Sequence, residues 1–158
     1  MRSLLLAISL LFIFATARAE VVRLAPEFTF QGVGPKPQTL KSLRGQPVVL
    51  IFTDSPKDWA FKLQLLSLKS TYQEFANKQV IFVVAFTKET GPIKSNIPFV
   101  TANDGAAVAS AYGVQGKFNI AIIGKDGNVD YQTRKILPAS RVNDVIQNSY
   151  AVQSNTGR

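Results

Sequence analysis

Six consecutive apolar or β-branched residues, Val48-Val49-Leu50-Ile51-Phe52-Thr53, follow Gly45-Gln46-Pro47. An unbroken run of this kind, bounded by turn residues, predicts a strand buried on both faces. A second such run extends from Val80 to Phe86. Between them lies a polar stretch, Asp54-Ser55-Pro56-Lys57-Asp58, and then a segment with a different period. From Trp59 onward Phe61, Leu65, Leu68, Tyr72 and Phe75 recur at helical spacing, so one long helix with an inward apolar stripe is expected. Asp58 has the side chain and the position of its N-cap. Two continuous apolar strands separated by a helix imply a parallel pair covered on both faces.

Shorter patterns flank this centre. Leu24 to Phe30 alternates enough for an edge strand, with Pro26 near its start, and Gly32 to Pro37 is punctuated as a turn. One helical turn stopped by Gly45 then leads into the central strand. After the polar excursion from Thr87 to Ser95, Ile97 to Val100 reads as extended. Asp104-Gly105 opens an alanine-rich helix over 106–111, closed at Gly113. Phe118–Ile123 and Val129–Thr133 form a hairpin joined by Lys125-Asp126-Gly127-Asn128. Ser140 is placed to cap a last helix whose inward face is Val142, Val145, Ile146 and Tyr150. Residues 154–158 read as a polar, disordered tail. No internal repeat or linker divides the chain, so one domain is expected over residues 20–153.

The first 19 residues follow another pattern. Arg2, an apolar run from Ser3 to Phe14 and Ala17-Arg18-Ala19 have the order of a cleavable signal peptide. The chain is therefore expected to be exported, to a periplasm or to the exterior, with its mature start near Glu20. The apolar run is short for a membrane span, so an uncleaved anchor would be the only route to a membrane.

Composition removes whole classes of chemistry. The chain of 158 residues contains no cysteine and no histidine. Disulfides, thiol nucleophiles, thiolate or imidazole metal ligands and histidine-based triads are thereby excluded, and no cofactor or metal is expected. The net charge is +8; without Arg2 and Arg18 it is +6. The lysines are scattered singly, which favours solubility and loose attraction to anions over nucleic-acid binding. Two fragments of motif remain. Ser55 and Lys57 are two apart in a loop, where a Ser–Lys catalytic pair needs a desolvated lysine; a solvated loop is the expectation. Asp126-Gly127-Asn128-Val129-Asp130 starts like a calcium loop, but has Tyr131 where the glycine belongs and Leu137 where the glutamate belongs, so a tight hairpin is expected.

Four stretches in this order resemble the thioredoxin-like superfamily, in particular its exported redoxin and peroxiredoxin branch. They are Ala25-Pro26-Glu27-Phe28, the run from Leu40 to Phe52, Val108-Ala109-Ser110-Ala111-Tyr112-Gly113-Val114, and Ile122 to Val129. The resemblance implies an α/β fold with a mixed central sheet of about five strands and helices on both faces. It also implies where a redox site would lie. In redox-active relatives a C-x-x-C or a peroxidatic cysteine follows the central strand; here that region is Ser55, Pro56, Lys57, Asp58, Trp59 and Ala60, with the cysteine positions near Lys57 and Ala60. The cis-proline of the family falls at Phe118, so a trans peptide is expected there. Family resemblance alone implies a thiol-disulfide or peroxide oxidoreductase; the missing cysteines point instead to a non-catalytic binding or assembly module.

Trp59, Leu63 and Leu66 stand at i, i+4 and i+7, opposite the main stripe of the long helix. Either the N-terminal hairpin or the loop from Thr87 covers them, or they form an apolar surface, with Phe118 close by, for a protein or peptide partner or a second copy of the chain.

Overall fold

The computed structural model describes residues 23–32 and 34–155. The expected signal peptide lies outside the described residues, as does the end of the expected tail. The order of elements is β1 (Arg23–Leu24), β2 (Thr29–Gln31), β3 (Pro37–Thr39), a 3-10 turn (Leu40–Leu43), β4 (Val48–Thr53), α1 (Trp59–Lys69), α2 (Tyr72–Asn77), β5 (Ile81–Phe86), β6 (Phe99–Thr101), α3 (Gly105–Ala111), β7 (Phe118–Ile123), β8 (Asn128–Thr133) and α4 (Ala139–Asn155).

Six strands form the main sheet in the order β1-β8-β7-β4-β5-β6. β4 runs parallel to β5 and antiparallel to β7, so it has a partner along both edges. Every residue of β4 and of β7 is buried. Alternation along β4 feeds two cores. Val49 and Ile51 face the layer of α1, α2 and α4, where they meet Phe61, Leu68, Phe75, Val142 and Ile146. Val48, Leu50 and Phe52 face the layer of α3 and the N-terminal ribbon, with Phe28, Phe30, Val108 and Tyr112. Continuous apolarity is what a strand covered on both faces requires.

The N-terminal stretch, expected as one edge strand, divides. Pro26 has no N–H to give to a ladder, and around it the chain changes partner: β1 pairs with β8, while β2 pairs with β3 in a separate two-stranded ribbon. The long helix also divides. Thr71, at φ −113° and ψ 12°, leaves the helical region between α1 and α2, in a Ser70-Thr71 pair of indifferent helix formers. At the other end α4 starts at Ala139, two residues earlier than a cap at Ser140 implies, with the amides of Arg141 and Val142 both donating to the carbonyl of Pro138 (3.0 and 3.2 Å). It continues to Asn155, two residues into the expected tail.

The turns fall where glycine was read. Gly113 and Gly127 have φ of 65° and 84°, which closes α3 and the β7–β8 hairpin. Gly105 is needed for a different reason: a Cβ there would run into the carbonyl of Phe86 at the end of β5. The start of α3 thus sits directly against the sheet.

Candidate functional site

The C-terminal end of β4 is where an α/β sheet of this kind offers a site, because the loops after two parallel strands, β4 and β5, meet there. The sequence supplies that end with polar groups on both loops: Thr53 to Asp58 on one, Thr87 to Glu89 on the other. In the fold they bond to one another.

Asp58 is the hub. It occupies the N-cap position of α1, yet its side chain does not bond to the helix. Its Oδ2 accepts from Thr53 Oγ1 (2.9 Å), from the Asp54 amide (2.9 Å) and from the Ser55 amide (3.2 Å), and its Oδ1 accepts from Ser55 Oγ (3.4 Å). The expected cap is therefore corrected: the carboxylate turns back into the loop. Two amides and a fully buried hydroxyl would otherwise be left unpaired there.

Asp54 is the latch to the neighbouring loop. Its Oδ1 accepts from Thr87 Oγ1 (2.7 Å) and its Oδ2 from Lys88 Nζ (2.8 Å), while its carbonyl accepts from the amides of Lys88 and Glu89 (3.1 and 2.9 Å). Only 15% of its side chain is exposed. The hydrogen bond from the Lys88 ammonium, helped by that of Thr87, holds the Asp54 carboxyl below its ordinary pKa, and Asp54 in turn raises that of Lys88.

The remaining residues predicted for this region separate. Lys57 points outward, its side chain 80% exposed, and meets Glu89 at 3.4 Å; its ammonium does not reach Ser55, whose Oγ instead accepts from the Lys57 backbone amide at 3.2 Å. No Ser–Lys pair is assembled. Pro56 is half-buried over Gly91. Ala60 is half-buried against the core. Phe118, opposite Thr53 in the β4–β7 ladder, is buried, and no cis peptide bond precedes it. It therefore contributes packing to the sheet and not an exposed apolar surface. The carboxylate of Asp126 accepts from the Asn128 amide and side chain (3.0 and 2.8 Å), which accounts for the Asp-Gly-Asn sequence as a turn.

On α1 the two sides differ sharply. Phe61, Gln64 and Leu68 are buried. Leu63 is half-buried, whereas Trp59 is 72% and Leu66 66% exposed. Neither the N-terminal ribbon nor the loop from Thr87 covers them.

Sequence reasoning missed the part played by Thr53, Asp54, Thr87 and Lys88, although a parallel β4–β5 pair, once inferred, places their loops side by side. It also missed Gln64. That side chain is fully buried and bridges one backbone residue from both sides, donating to the Leu137 carbonyl (2.9 Å) and accepting from the Leu137 amide (2.8 Å). An open cleft of about 420 Å³, lined by Asn77, Lys78, Gln79, Lys125 and Gln147, lies at the opposite end of the sheet.

A protein-family profile described as Domain of unknown function (DUF4174) matches residues 40–151, more than two thirds of the chain. The chain belongs to the DUF4174 family. No curated protein matches it. Among solved structures, this DUF4174 chain is similar to the thioredoxin domain of a thiol-disulfide oxidoreductase from Bacteroides vulgatus, at 17% identity and a TM-score of 0.63, over 78% of this chain and 95% of that one. It is similar also to thioredoxin peroxidase I of Plasmodium yoelii, at 16% identity and a TM-score of 0.64, over 85% and 91%. The exposed lipoprotein thioredoxin of Streptococcus pneumoniae superposes at 19% identity and a TM-score of 0.60, over 78% and 99%. The DUF4174 domain therefore has a thioredoxin-like fold, and it has it without a cysteine anywhere in the sequence.

Proposed function

We propose that this DUF4174 chain is an exported, non-catalytic module that binds a protein or peptide partner through the outward stripe of α1. One observation carries the reading: Trp59 and Leu66 stand exposed on the helix that follows the loop after β4, beside carboxylates of that loop that are turned to its own groups and to those of the neighbouring loop. A large aromatic ring left in water at the rim of a packed domain is the kind of residue that dominates interfaces. The loop supports the same reading, since Asp54, Ser55 and Asp58 hold structure in place and leave no side chain poised as a nucleophile.

Export is supported by the order of charge, apolar run and Ala-x-Ala in residues 1–19 and is compatible with a neighbour named as an exposed lipoprotein. Among the described residues no helix is long and apolar enough to cross a membrane. The alternative, a thiol-disulfide or peroxide oxidoreductase, needs a thiolate to attack a disulfide or a peroxide, and the chain has none. The test joins two measurements on the mature protein. Disulfide-reductase and peroxidase assays are expected to give no turnover above buffer, and sedimentation in envelope extract is expected to show a species larger than the monomer. Turnover above buffer, or a monomer in extract, contradicts the proposal.

A further inference from the structure

We infer that the partner surface met by α1 is a protein segment that is apolar along its centre and acidic along one edge; this rests on the reading that the α1 stripe is the contact face. The chemistry lies in what borders the stripe. Along α1, Trp59, Leu63 and Leu66 form the ridge, and Lys62 and Lys69 lie together on one flank, both exposed. The other flank is Ala60 and Ser67, both half-buried, with Ser67 Oγ donating to the Leu137 carbonyl at 3.0 Å. The ridge is thus basic on one side only.

Among the described residues no carboxylate pairs with either lysine. α1 contains no acidic residue. Asp58 is turned into the loop, Asp54 is held by Lys88 and Thr87, and Glu89 is taken by Lys57. Among the described residues Lys62 and Lys69 make no ion pair. A partner seated on Trp59 and Leu66 would strip water from the stems of these lysines, and an ammonium at such a rim favours a carboxylate opposite it. A second copy of the chain fits poorly: both copies carry +8, or +6 after signal removal, an antiparallel two-fold contact along this ridge would set the two lysine flanks on the same side, and a parallel one would set each against the Ala60 and Ser67 flank, which offers no carboxylate. An anionic bilayer presents charge evenly on both sides of an inserted ridge, whereas here only one flank is basic. A protein segment can match an apolar ridge with one charged edge.

The test places a photoreactive benzophenone amino acid at Leu66 of the full chain, made in its own cells, and maps the adducts by mass spectrometry after irradiation. The expected adduct is a protein segment of net negative charge containing apolar residues. Its yield is expected to fall about tenfold in the Lys62→Glu/Lys69→Glu double variant, whose exposed positions leave the melting curve unchanged. An adduct to lipid, to a second copy of the chain, or to a neutral or basic segment overturns the inference, as does full yield in the double variant. Adducts to a non-acidic protein leave the binding reading standing and remove only this inference. The absence of any macromolecular adduct removes both.

Discussion

Two neighbouring parts of this molecule treat their chemistry in opposite ways. The β4–α1 loop is polar, and its carboxylates bond inward: Asp58 gathers Thr53, Asp54 and Ser55, and Asp54 gathers Thr87 and Lys88. The outward side of α1, which begins one residue later, is apolar, and Trp59 and Leu66 rest against solvent. In a site built for chemistry the reverse is expected, with polar groups left available in the loop and apolar groups packed behind them. The difference teaches that the end of a buried strand can be closed by its own polar groups while the helix that follows leaves apolar ones in water. The loop after β4 keeps its place at the end of a buried strand, with the Asp58 carboxylate serving its backbone amides and the Asp54 carboxylate the side chains of Thr87 and Lys88.

The comparison can be broken most severely at the hub. Asp58→Ala leaves the Asp54 and Ser55 amides and the buried Thr53 hydroxyl without their shared acceptor, and the expected loss is about 2–3 kcal/mol of stability, read by urea denaturation. A change within about 0.5 kcal/mol would show that water replaces the carboxylate and that the loop is not self-contained. The next effect lies on the inner side of α1. Gln64→Leu keeps the volume close and removes both bonds to Leu137, so a loss of about 1–3 kcal/mol is expected, with Ser67 still serving the carbonyl. An unchanged melting temperature would mean that the helix seam is as stable when dry.

A smaller effect is expected at the latch, and it has a pH signature. The Asp54 pKa is lowered in the folded state, first by the hydrogen bond from Lys88. Its contribution is therefore complete above the ordinary carboxylate range and is lost as pH falls through the lowered value. The stability difference between wild type and Asp54→Asn, followed by thermal melts across pH, is expected to be greatest near neutrality and to vanish in acid. A difference that grows on acidification contradicts the latch.

How much of this was legible in the sequence depends on how local each cause is. β4 was read with the bounds it has, because six apolar residues between a proline and a polar turn leave little choice. Gly113, Gly127 and the opening of α3 at Asp104-Gly105, where Asp104 Oδ1 accepts from the Ala107 amide, were also readable, each being a bond or a dihedral within a few residues. The backward turn of Asp58 was not, since its position suited a helix cap equally well and only the folded loop shows which amides compete for it. Gln64 was invisible for a plainer reason: its partner Leu137 stands 73 residues away, and a polar residue in an inward row reads as solvent-facing until that partner is in place. The outer stripe was seen as a pattern from Trp59, Leu63 and Leu66, but whether another element covered it depended on where the N-terminal ribbon packs. That ribbon lies on the other face of the sheet, against α3.

The smallest expected effect on stability carries the largest expected effect on association. Trp59 is exposed and makes no bond that holds the loop, so Trp59→Asp is expected to change unfolding free energy by no more than about 0.5 kcal/mol. The decisive measurement is sedimentation of wild type and Trp59→Asp in native envelope extract, with their melting curves recorded beside it. The account predicts a larger species for wild type, a monomer for the variant and overlapping melts. An unchanged sedimentation profile in a folded Trp59→Asp protein would contradict it.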